Sequence, residues 1–120
     1  MRFVRLFVVL LGCSLFGCAT FNSSEMAAIR AHGVDPVIMA KLADAKPLTP
    51  PEISALSRRG VADSFIERHL ESAGVDYLVI TQDVREMRQS GVSSRVVNTL
   101  LTESNHFARR YASSSYHSYY

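Results

Sequence analysis

Cysteine is scarce and badly placed for cross-linking. The chain has two, Cys13 and Cys18, both close to the N-terminus, which leaves no pair to build a disulfide framework. A charge surplus is missing as well. The formal net charge of +2 includes Arg2 and Arg5, and without them 11 basic residues face 11 acidic ones. A balanced chain lacks the clustered Lys and Arg that bind nucleic acid through counterion release. No apolar run reaches the roughly 20 residues needed to span a bilayer core. There is no glycine-rich phosphate loop, no HExxH, no GxSxG and no paired metal-ligand spacing. These absences predict a protein that is not an enzyme, with no cofactor, no metal and no small-molecule substrate. At 120 residues there is room for one domain, and an apolar content of 48% supports a packed core.

What is present begins with an export-type segment. "MRFVRLFVVLLGCSLFGCAT" opens with Arg2 and Arg5, continues with an apolar run from Leu6 to Leu11, and is then broken by Ser14 and two glycines. That order is the n-region and h-region of a secretory signal. Leu15-Phe16-Gly17-Cys18 resembles the lipobox of bacterial lipoproteins. The resemblance implies cleavage before Cys18, a diacylglycerol on its sulfur and, usually, an acyl chain on its new amino group. Leu10-Leu11-Gly12-Cys13 is a competing site, but it leaves a very short apolar run. Residues 1–17 are then the signal peptide and 18–21 the anchor and linker. Ala19, in place of an aspartate, implies outer-membrane sorting by resemblance to enterobacterial lipoproteins. Each buried CH₂ contributes roughly 0.8 kcal/mol, so several chains on one residue make a firm anchor without any membrane helix.

Residues 22–104 carry a repeat. With Gly33, Gly60 and Gly91 in register, Ile29, Leu56 and Met87 stand four residues before, and Met26, Ile53 and Val84 stand three before those. Val34, Val61 and Val92 follow the glycines. Ile38-Met39, Phe65-Ile66 and Val96-Val97 come next, then Leu42-Ala43, His69-Leu70 and Leu100-Leu101. Apolar positions three and four apart are the helical period, and they flank each glycine on both sides. Asn22 to Glu25 and Thr49 to Glu52 have capping-box spacing, with Pro50 at the first helical position. In the third unit the aligned residue is Ile80, so Thr81 is expected to cap one position late. Asp35 and Ser93 are expected to cap the second helix of their units. Each glycine falls where a helix ends in the left-handed conformation. The predicted fold is all-α, with about six short helices in three helix-turn-helix hairpins that must stack to bury their faces. Gly74-Val75 admits two readings, a linker over 74–80 or a fourth turn opening a helix near Asp76.

This pattern resembles repeats in short, uncharacterised exported bacterial proteins and lipoproteins. It is also similar to the helix-hairpin-helix of DNA-binding proteins, although Asp35, Ala62 and Ser93 stand where that motif has its second glycine. Among single residues, His69 breaks an apolar column and is expected at a boundary with its ring half covered. Gly60→Val puts a β-branched side chain at a left-handed turn, so it is expected to damage folding more than His69→Ala. His32 belongs at a helix end. Arg58-Arg59 read as a solvated helix end or a contact for anionic lipid. Glu67 and Glu71 read as an exposed polar face. Residues 105–120 form a Ser/Tyr/His-rich tail. It is expected to be helical to about Tyr111 and disordered beyond Ala112, with copper or zinc binding by His106 and His117 as an alternative to a solubilising role. The expectation that follows is a lipid-anchored, non-enzymatic interaction or structural module of the cell envelope, meeting an envelope protein or the cell wall. The alternative is a nucleic-acid binder of the helix-hairpin-helix kind.

Overall fold

The computed structural model describes residues 21–117, with side chains through residue 114. Those residues form six helices: α1 (Ser23–Ala31), α2 (Pro36–Ala43), α3 (Pro50–Arg58), α4 (Asp63–Ala73), α5 (Thr81–Gln89) and α6 (Ser94–His117). The described chain is all-α, and its three hairpins are α1–α2, α3–α4 and α5–α6. None of these helices is long and apolar enough to cross a membrane.

Local chemistry sets the ends. Asn22 accepts from the Glu25 amide at 2.9 Å, and Glu25 accepts in return from the Asn22 amide. Thr49 and Glu52 repeat that capping box on α3. Both boxes satisfy N–H groups that a helix start leaves without internal partners. Asp35 caps α2 through the Val37 amide, and Ser93 accepts from Val96 at the start of α6. Thr81 does not cap α5. The helix begins at Thr81, and Asp83 reaches back to the Ile80 amide at 3.1 Å, because the apolar Ile80 has no acceptor to give.

The turn glycines have positive φ: +76° at Gly33, +80° at Gly60 and +88° at Gly91. At the second and third turns the amide after the glycine bonds back across the end, Val61 to Leu56 and Val92 to Met87. That is the Schellman closure, and it aims the valine inward. Val34, Val61 and Val92 are all buried. A third closure of this kind ends α2 without glycine. Lys46 bonds back to Lys41 while Ala45 takes φ +51°.

Gly74 ends α4 at φ +67° and ψ −166°, and the chain to Ile80 is a linker rather than the start of a helix. Burial alternates along it, with Val75, Tyr77 and Val79 turned to the core and Asp76, Leu78 and Ile80 outward. The linker is fixed from outside. Ser104 of α6 accepts from the Val79 amide and donates to the Tyr77 carbonyl, while the Tyr77 hydroxyl donates to the Leu48 carbonyl.

Corresponding helices of the second and third hairpins lie together, α3 against α5 and α4 against α6. Helix α6 runs in the same direction as α4. Arg95 pairs with Glu67 near their starts, and Arg110 and Glu103 approach Gly74 where α4 ends. The core gathers the repeat positions, with Ile29, Leu56 and Met87 each about 1% exposed. Lys41 of α2 joins α3 through Glu52 at 2.7 Å. Among the described residues α6 is the longest helix, and it carries on past Tyr111 to His117.

Candidate functional site

Phe21 lies outside the segment in which the repeat is written, yet it is part of the core. It is 4% exposed. Its ring meets Phe65 edge-on with centroids 5.8 Å apart and stacks on His69 at 6.2 Å with the planes 12° apart. Arg68 lies over both phenyl rings, at 4.9 Å from Phe21 and 5.3 Å from Phe65. The same guanidinium donates to both carboxylate oxygens of Glu25. One side chain thus covers the aromatic pair by cation–π contact and ties α4 to the capping residue of α1. Arg68 holds the Glu25 carboxyl below its ordinary value, with the Asn22 amide adding to the effect and partial burial opposing it.

His69 is the structural correction to the sequence reading. Its ring is fully buried rather than half covered. Nε2 lies 2.7 Å from the Lys46 carbonyl. A carbonyl can only accept, so Nε2 carries the proton and Nδ1 holds a lone pair. Nδ1 has no hydrogen-bond partner among the described residues. Burial pushes the imidazole below its ordinary value, and the Lys46 carbonyl opposes this in part. The histidine is a strut. It fastens the α2–α3 loop to α4 and gives Phe21 a face to stack on.

The turn glycines divide into a pair and a single. A Cβ built on Gly33 would stand 3.6 Å from Arg59, and one on Gly60 would stand 3.6 Å from His32. The first two turns therefore sit side by side, whereas Gly91 has open space around it. Arg58 and Arg59 are both exposed at the end of α3. A shallow groove between the first turn and α3 is lined by Val34, Pro36, Val37, Ala55 and Arg59. Glu67 is engaged by Arg95 and partly buried, so of the expected exposed face only Glu71 is open to solvent. His106 faces Glu103 at 3.5 Å. Among the described residues no group of three or more His, Cys, Asp or Glu could hold a metal ion. Cys18 and Cys13 lie outside the described residues.

Sequence reasoning missed Phe21 and the burial of His69. A signal was present for one of them. His69 occupies the column of Leu42 and Leu100, both core positions, and that register pointed to the core more firmly than the polarity of the residue pointed away from it. No family model, curated protein or solved structure matches the chain.

Proposed function

We propose that this chain is a lipoprotein of the bacterial envelope, anchored through Cys18, whose helical hairpins serve as a non-enzymatic scaffold or adaptor. The observation that carries the reading is Leu15-Phe16-Gly17-Cys18 closing an apolar run that starts behind Arg2 and Arg5. Three further features support it. The charge balance beyond Arg5 gives nucleic acid no basic stripe. An acylated cysteine would attach the array without a spanning helix, and none of the described helices is long and apolar enough to be one. Stacked hairpins offer an extended surface of the kind repeat proteins use for binding. Ala19 after the cysteine favours the outer membrane, with the array facing the periplasm. The partner class is an envelope protein or the cell wall.

Mass spectrometry of the membrane fraction tests the anchor. A chain beginning at acylated Cys18 is the expected product, and Cys18→Ser should leave the precursor or an unlipidated form. A full-length chain in the cytosol would overturn the reading. Cross-linking in intact cells tests the partner class, with recovery expected to weaken when residues 112–120 are deleted. Salt-sensitive binding of DNA by the purified array, with no envelope partner recovered, would favour the helix-hairpin-helix reading instead.

A further inference from the structure

The chain joins the core very soon after the proposed anchor. Phe21 is three residues beyond Cys18, and it is held between Phe65 and His69 beneath Arg68. The next residue, Asn22, is already fixed as the cap of α1. Three residues span at most about 10 Å even when fully extended.

We infer that the helical array is held directly on the bilayer surface by this short tether, with the α1–α4 corner around Phe21 facing the lipid headgroups. The inference rests on the reading that Cys18 carries the lipid. An acylated cysteine sits where the acyl chains meet the headgroups, so a core residue within about 10 Å of it lies at or just above the headgroups. A flexible linker would let the array drift away, but such a linker needs many residues, and only Ala19 and Thr20 lie between Cys18 and Phe21. The charges at the corner suit this placement without driving it. Arg68 is matched by Glu25, so neither has to approach the surface unpaired. Covalent reach, rather than attraction to anionic lipid, sets the contact.

The consequence is a fixed orientation. The corner formed by α1 and α4 is shielded by the membrane, and binding surfaces must lie on the remaining faces.

The test uses the acylated protein in phosphatidylcholine vesicles containing lipid spin-labelled at the headgroup. Ser23 is exposed and two residues from Phe21. In Ser23→Cys the introduced thiol is the only free one, because Cys13 leaves with the signal and Cys18 is acylated. A fluorophore on that thiol should be quenched by the spin-labelled lipid. A flexible insert of twenty Gly and Ser residues between Ala19 and Thr20 should abolish the quenching while the protein still floats with the vesicles. An acylated chain that shows no quenching, or quenching that survives the insert, would overturn the short-tether orientation alone. A chain that mass spectrometry shows to carry no acyl group would overturn the anchor reading and this inference together.

Discussion

His32, which ends α1, lies against Gly60 of the neighbouring turn, so that a Cβ on Gly60 would stand 3.6 Å from its imidazole. Arg59, which ends α3, stands in the same relation to Gly33. Each separation is ordinary van der Waals contact, so a methyl group at either glycine meets no wall. The reason for glycine there is the backbone, at φ +76° and +80°.

That distinction ranks the glycine substitutions. Gly60→Ala should cost about 1 kcal/mol, the penalty of a side chain in the left-handed region. Gly74 is more demanding. Its φ of +67° with ψ −166° belongs to a region populated almost only by glycine, where strain runs to about 1–3 kcal/mol. Gly74→Ala is therefore expected to lower the melting temperature more than Gly60→Ala, although its Cβ would also meet nothing closer than 3.9 Å. Equal melting temperatures for the two variants would refute the backbone argument.

Ala45 reverses the experiment. It already sits at φ +51° and closes α2 as the glycines close other helices. Ala45→Gly relieves about 1–2 kcal/mol of strain and returns about 0.4–1 kcal/mol of unfolded-state freedom. The net expectation is a small stabilisation, seen as a melting temperature a few degrees higher. A lower one would show that the turn at Ala45 is not strained.

How far the sequence could be read follows from where the partners lie. The turn glycines, the two capping boxes and the inward valines are local features, each decided within about five residues, and all were legible. Phe21 was not, and the linker over 74–80 was legible only as one of two open readings. Phe21 is buried by Phe65, Arg68 and His69, more than forty positions away in the chain. The linker avoids helix because Ser104 and Leu48 supply its hydrogen bonds from other elements. Nothing near Gly74 decides between the two readings, because those partners are far away in the chain. A helix opening near Asp76 would have put Ile80 on an apolar stripe with Val84 and Met87; instead it is 58% exposed, since the helix starts only after it. The candidate anchor was legible as a motif, and its closeness to the core was not.

Ser104 provides a test of that linker. Removing its hydroxyl in Ser104→Ala leaves the Val79 amide without its 2.9 Å partner. An unsatisfied buried group costs about 1–3 kcal/mol, so the urea midpoint should fall while the slope stays unchanged. Tyr77→Phe should act similarly through the Leu48 carbonyl. Thr102→Ala is the control on the exposed side of α6. The Thr102 hydroxyl bonds only within its own helix, and its loss should be nearly silent. A silent Ser104→Ala would mean that the linker holds its course without α6.

Phe21 should matter to stability even though it precedes the first helix. Phe21→Ala removes a buried ring from between Phe65 and His69, and large-to-small changes of this kind cost about 3–5 kcal/mol. Amide exchange in α1 should speed up most, because that helix is tied to α4 through Phe21 and the Glu25–Arg68 pair. Arg68→Ala should cost less, since its ion pair lies at the surface, where such pairs contribute little. A larger loss from Arg68→Ala than from Phe21→Ala would place the main tie in the charges rather than the rings.

Histidine burial gives a pH dependence with a definite sign. The folded ring resists a proton, because Nδ1 is buried without a partner and Nε2 already donates to Lys46. The unfolded ring takes a proton near the ordinary value of 6.5. Below that pH the unfolded state binds more protons, so stability falls as pH falls, by up to about 1.4 kcal/mol per pH unit for one group. The loss ends once the folded ring is also protonated, at a pH below 6.5. Glu25 and Glu52 act in a lower window, beneath 4.5, where protonation releases Arg68 and Lys41. Thermal unfolding from pH 7.5 to 5 should therefore show a falling melting temperature that begins near 6.5. His69→Leu keeps an apolar filler of the kind found at Leu42 and Leu100. It should be less stable at pH 7.5, because the Lys46 carbonyl loses its donor, yet it should lack most of the decline between 6.5 and 5. His69→Ala should be worse than Gly60→Val, the reverse of the order that a half-covered ring implies, since it opens a cavity and orphans the same carbonyl. A His69→Leu variant with the full wild-type decline would show that another group carries the pH dependence.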